Sequence, residues 1–124
     1  MEVMITVAII GILASVALPN YRRAIERGYW NEAQDVLRTI YAGQQVFFTV
    51  NDSYLNNPTT LAQWRQIYTD DPNLASIPVT FSVIAGGSGA AAWFTATATY
   101  TGAGGGSMTI NQLNNLNTAG WPLP

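Results

Sequence analysis

Glu2 is the residue whose setting demands a chemical explanation, because the sixteen residues that follow it, Val3 to Leu18, carry no charge, and Pro19 closes the run. Such a carboxylate either sits at a membrane surface as a hydrophilic flank or, within the apolar segment, costs about 2.5–3.5 kcal/mol near the centre of a bilayer and needs a partner. A second charged group, Arg22, Arg23, Glu26 and Arg27, follows the proline. The chemistry on offer is ion pairing and not turnover. With no His, Cys or Lys, the chain lacks the usual general base, thiolate and Schiff-base amine. Zinc would find neither imidazole nor thiolate. Asp52, Asp70 and Asp71 could offer oxygens to calcium, but their spacing fits no recognised loop and Asp is common in turns. The sequence therefore predicts no enzyme, no metal and no cofactor.

Two elements must position these charges. A helix rises 1.5 Å per residue, so Val3–Leu18 spans roughly 24 Å, somewhat less than a bilayer's hydrocarbon core of about 30 Å. Beyond Asn20 the pattern becomes amphipathic. Ile25, Tyr29, Ala33, Val36, Leu37, Ile40, Tyr41, Phe47 and Val50 recur at three- and four-residue steps, with charges on the other faces. Only Gly28 and Gly43 weaken that half. One helix from Met1 to about Val50 would run ~75 Å. A 13.4 kDa chain cannot bury so long a helix alone, so its first half must insert into lipid or into a bundle.

The stretch EVMITVAIIGILASVALPNY resembles the N-terminal signature of type IV pilins and of the related type II secretion pseudopilins. The matching positions are Glu2, Gly11, Ala17, Leu18, Pro19 and Tyr21. The resemblance implies that a leader and three mature residues precede Met1, which would extend the apolar span to about 30 Å. It implies a structural subunit that polymerises with copies of itself into an extracellular helical filament for adhesion, motility or DNA uptake. It further implies an inner-membrane pool held in lipid, a prepilin peptidase and pilus assembly machinery as partners, and a methylated N-terminus. On this reading Glu2 pairs with an N-terminal amine, its own or a neighbour's, while Val3, Ile9, Ile10, Gly11, Ile12, Leu13 and Pro19 pack the filament core. Gly11 and Pro19, which cost about 1 and 3 kcal/mol within a helix, bound a candidate hinge. Arg22, Arg23, Glu26 and Arg27 become candidate charge contacts between subunits, a solvated helix face being the plainer alternative. The arginines would by the positive-inside tendency hold the C-terminal part in the cytoplasm; the resemblance places it outside, and that placement is adopted.

The remaining sequence predicts an α+β fold in which the long helix packs on an antiparallel β meander. The expected divisions are an apolar helix at 1–19, its amphipathic half at 20–50, a variable loop at 51–76 and a sheet with tail at 77–124. In the loop, Thr59 or Thr60 can cap a short helix over Leu61–Tyr68, with Leu61, Trp64 and Tyr68 on one face. Ile77–Ile84 and Ala92–Tyr100 alternate cleanly, and Ser107–Leu113 turns Met108 and Ile110 inward, giving three strands joined by Gly-rich turns. The tail is too rich in Asn and Pro for a strand, and Trp121 is expected to anchor it. Seven acids against five arginines leave a net charge of −2, so there is no basic field for direct nucleic-acid binding. Without Cys no disulfide closes the C-terminal region. Asn51-Asp52-Ser53 matches a glycosylation tripeptide, a match that arises easily by chance. Two other functions fit parts of the pattern: a pseudopilin of a type II secretion system, and a membrane-tethered binding module whose ligand contacts lie in 51–76.

Overall fold

The computed structural model describes residues 1–102 and 104–121. Its first element, α1 (Glu2–Asn51), is a single unbroken helix of 50 residues. Pro19 lies inside it; one interior proline removes a single backbone bond, and the helix continues on both sides. The helix ends where Asp52 adopts a left-handed φ of 57° and its N–H returns to the Phe48 carbonyl at 2.9 Å.

A short helix, α2 (Leu61–Arg65), follows. Thr60 is its cap: the hydroxyl accepts from the Gln63 N–H at 3.3 Å, while Gln63 Oε1 accepts from the Thr60 N–H at 3.1 Å. The helix stops three residues earlier than expected, because Tyr68 takes a left-handed φ of 60°. That swings Tyr68 outward, 71% exposed, and Ile67 is buried beside Trp64 in its place. A 3-10 turn at Pro72–Leu74 then leads to the sheet.

The sheet is antiparallel with order β1 (Val79–Gly86), β2 (Trp93–Tyr100), β3 (Ser107–Asn111) and β4 (Leu116–Asn117). Phe81 pairs with Ala98 and Ala98 with Met108, so the three apolar rows stack on one face. Val79, Phe81, Val83, Ala85, Phe94, Ala96, Ala98, Met108 and Ile110 are all buried, as the alternation predicts. The Ser and Thr residues between them line the other face.

β4 corrects the expectation of three strands. The Asn-rich stretch makes the turn before it: Asn111 Oδ1 accepts from the N–H groups of Leu113 and Asn115 at 3.0 and 3.2 Å, and Asn114 sits at a left-handed φ of 59°. Leu116 then pairs with Ile110 and Asn117 with Thr109. Trp121 anchors the tail as expected, stacking on Tyr100 with centroids 5.2 Å apart and planes 11° apart. The expected turn at Gly102–Gly106 includes Ala103, which lies outside the described residues, as do Pro122, Leu123 and Pro124.

α1 crosses β2 and β3, pressing Ala33, Leu37 and Ile40 into the apolar face. Leu37 and Ile40 each contribute about 1.5–3 kcal/mol when fully buried. Two members of the expected stripe fall elsewhere. Val50 is 77% exposed, because at 100° per residue it lies about 110° around the axis from the buried line. Ile25 lies below the domain, outside the core, and is 36% exposed. The position taken up instead is Gln44, fully buried.

Candidate functional site

The apolar half of α1 is the candidate site, since it is the part of the chain that the fold does not use. Residues 1–25 are all exposed, and packing against the core begins with Tyr29 and Trp30. This is why the domain needs only the second half of the helix: Tyr29 faces Tyr100 at a centroid distance of 6.3 Å, and Trp30 Nε1 donates to the Trp121 carbonyl at 3.0 Å.

Val3, Ile9, Ile10, Ile12 and Leu13 are each exposed, as are Met4, Val7 and Leu18, and at 100° per residue the eight together point around the whole circumference. A helix that is apolar all round belongs in a membrane or in the core of a larger body. The helix is long and apolar enough to cross a membrane. Its two hydroxyls do not disturb that character: Thr6 Oγ1 donates to the Glu2 carbonyl at 2.9 Å and Ser15 Oγ to the Ile12 carbonyl at 2.7 Å, so both are satisfied within the helix. A β-carbon added at Gly11 would meet nothing within 4 Å.

Glu2 lies in α1 and is exposed. Among the described residues its side chain makes no ion pair. Glu2 thus belongs to an apolar rod that the domain leaves unpartnered. Arg22, Arg23 and Arg27 likewise make no ion pair among the described residues; the pair found is Arg65 with Asp70 at 3.4 Å, both well exposed. Arg22, Arg23 and Glu26 border a groove beside Ser15, Leu18 and Pro19.

The three aspartates considered for calcium are kept apart by local duties. Asp52 forms the left-handed end of α1, Asp70 pairs with Arg65, and Asp71 Oδ1 accepts from the Asn73 N–H at 2.9 Å to start the 3-10 turn. Among the described residues no three acids come together as metal ligands. Sequence reasoning set Tyr29 on the core stripe and Trp121 as the tail's anchor, but did not bring Tyr29, Trp30, Tyr100 and Trp121 together at the lower end of the domain. The adjacent aromatics at 29 and 30 were the available signal. It also missed a groove of about 440 Å³ between Thr39, Ala42, Gly43 and Val46 of α1 and the Ile67–Tyr68 turn. Nothing in the sequence spacing pairs those segments.

No family model matches the chain, and no solved structure matches it. Among curated proteins, the chain is similar to the "Type IV major pilin protein PilA" of Myxococcus xanthus (strain DK1622), with 45% identity over 53 residues. That match covers 43% of this chain and 24% of the relative, so the chain spans about a quarter of the length of the curated relative it matches. In its sequence over those residues, and in its long apolar N-terminal helix followed by an antiparallel sheet, the chain is type IV pilin-like.

Proposed function

We propose that the chain is a structural subunit that polymerises through the first half of α1 into a helical filament of the type IV pilus kind. The observation that carries this reading is the exposed apolar rod of residues 1–25, which the chain's own domain leaves uncovered. Copies packed side by side would bury Val3, Ile9, Ile10, Ile12 and Leu13 at about 25 cal/mol per Å² of apolar surface. Gly11 would admit a close neighbour. Glu2 would pair with an N-terminal ammonium in the low-dielectric core, where an ion pair strongly fixes register. Before assembly the same rod would sit in the inner membrane, and the finished filament would stand on the cell surface. The similarity to a type IV major pilin over 53 residues supports the pilin-like reading.

Electron microscopy of filaments sheared from the source cells, with peptide mass spectrometry of the purified material, tests the proposal. Long regular filaments composed mainly of this chain are the expected result. Recovery of the chain solely in the membrane fraction would instead favour a pseudopilin or a tethered module.

A further inference from the structure

Two stripes of α1 run down from the domain toward the apolar rod. One is Arg22, Glu26, Tyr29, Ala33 and the other Arg23, Arg27, Trp30, each at the three- and four-residue steps that keep side chains on one face. Their upper members identify which way they look. Ala33 is buried in the core, Tyr29 faces Tyr100, and Trp30 Nε1 donates to the Trp121 carbonyl at 3.0 Å. Arg22 therefore lies on the domain-facing side of the helix and Arg23 at its margin, while Arg27, one turn above Arg23, lies on the flank about 110° from the buried line.

The same face carries the groove of about 540 Å³ bordered by Ser15, Leu18, Pro19, Arg22 and Arg23, with Glu26 its one acid. Along α1 the groove's apolar residues Leu18 and Pro19 come first, its cations next, and the aromatic floor of the domain begins one to two turns further on at Tyr29 and Trp30. That is the layering of a membrane interface read outward from the acyl chains: hydrocarbon, phosphate, then the amphipathic rings that favour the headgroup level. Tyr21, exposed beside the cations, adds a further ring at that depth.

From this layering we infer that Arg22, Arg23 and Arg27 bind the phosphates of anionic phospholipids at the headgroup level, where α1 leaves the apolar rod, while the rod is in the membrane. The inference rests on the proposed membrane pool and names the lipid chemistry of that same segment. It also accounts for the cluster's place on the far side of the span, where the positive-inside tendency disfavours it: guanidinium groups match phosphate oxygens in bidentate geometry, and Glu26 alone offers little competition.

The test uses the full chain in nanodiscs made from equal parts phosphatidylcholine and phosphatidylglycerol, with the lipid retained on the protein analysed by native mass spectrometry. Wild type is expected to retain phosphatidylglycerol several-fold over phosphatidylcholine. Arg22→Gln/Arg23→Gln/Arg27→Gln is expected to fall to parity, the triple Lys variant to keep a clear preference, and Arg65→Gln to behave as wild type. All these positions are exposed, and an unchanged near-ultraviolet dichroism spectrum verifies folding. Equal retention of the two lipids by an inserted wild-type chain overturns the inference and leaves the membrane pool standing. Failure of wild type to insert into either lipid overturns the membrane reading itself. Loss of the preference on adding excess inorganic phosphate assigns the arginines to a soluble anion and also overturns it.

Discussion

Gln44 holds the backbone of Leu55 with both ends of its amide: Nε2 donates to the Leu55 carbonyl at 2.9 Å, and Oε1 accepts from the Leu55 N–H at 2.8 Å. The chain leaving α1 is thereby folded back along the helix. Leu55 packs against the core there, and its neighbour Tyr54 sets its ring edge-on to Phe94 at 4.8 Å. Gln44→Leu keeps the volume and leaves both Leu55 groups without their partner, at about 1–3 kcal/mol. A domain of this size should then melt about 4–8 °C lower per kcal/mol lost, measurable by circular dichroism. An unchanged melting temperature would show that water replaces the amide without loss.

The neighbouring residue gives a prediction of opposite sign from the one helix propensity makes. Gly43 passes against the Ile67 carbonyl so closely that a β-carbon there would collide with that oxygen and stand 2.8 Å from the carbonyl carbon. Gly43→Ala should therefore destabilise the domain by about 1–3 kcal/mol as an overpacking change. Gly28, with nothing within 4 Å of its missing β-carbon, should gain up to about 1 kcal/mol as Ala. Denaturant unfolding of the two variants side by side decides the matter; a stabilised Gly43→Ala would mean that α2 shifts freely.

These two positions also mark where the sequence stopped being readable. Periodicities of 3.6 and 2 predicted α1, β1, β2 and β3 to within about two residues, because they record which side of each element meets the core. Gln44 and Gly43 break the apolar stripe, and their burial depends on partners eleven and twenty-four positions away. β4 was hidden because asparagines build the turn that feeds it. At the candidate site the charge spacing around Glu2 and Arg22 was plain, whereas the domain-facing aspect of Arg22 depended on the Tyr29–Tyr100 contact, which joins distant parts of the chain.

Side chains also cover the outer edge of β1. Asn73 Nδ2 donates to the Phe81 carbonyl at 3.0 Å and its Oδ1 accepts from the Phe81 N–H at 2.7 Å. Further along, Asn56 Oδ1 accepts from the Ala85 N–H and the Asn57 N–H donates to the Val83 carbonyl, both at 3.0 Å. An edge left bare invites pairing with another chain. Asn73→Ala should cost about 1–2 kcal/mol and raise the rate at which the domain self-associates on warming, followed by light scattering. Aggregation no faster than wild type would show that Asn56 and Asn57 suffice.

Residues 20–124 should form a soluble monomer. Every core residue of the described chain lies at Ala33 or beyond, and the lowest packed aromatic is Tyr29, so this fragment keeps all that the fold uses and sheds the rod. Analytical ultracentrifugation of it should give one species near the monomer mass. Filaments grown from the fragment would mean that assembly resides in the domain.

Glu2 supplies the sharpest test of assembly, because its removal should leave the fold intact and spoil the filament. Its side chain makes no ion pair among the described residues, and the Thr6 hydroxyl bonds its backbone oxygen, not its carboxylate. Glu2→Leu therefore removes nothing from the domain and makes insertion of the rod into lipid easier by about 2.5–3.5 kcal/mol. In a packed bundle the same change would leave an ammonium buried without its carboxylate, at about 3–5 kcal/mol for a pair broken on one side. The membrane pool of Glu2→Leu should then rise while sheared filaments vanish or become irregular, scored by immunoblot and microscopy. Glu2→Asp, which keeps the charge one methylene short, should fall between. Normal filaments from Glu2→Leu would show that apolar packing alone sets the register, and the carboxylate would then need another reason for its place in the rod.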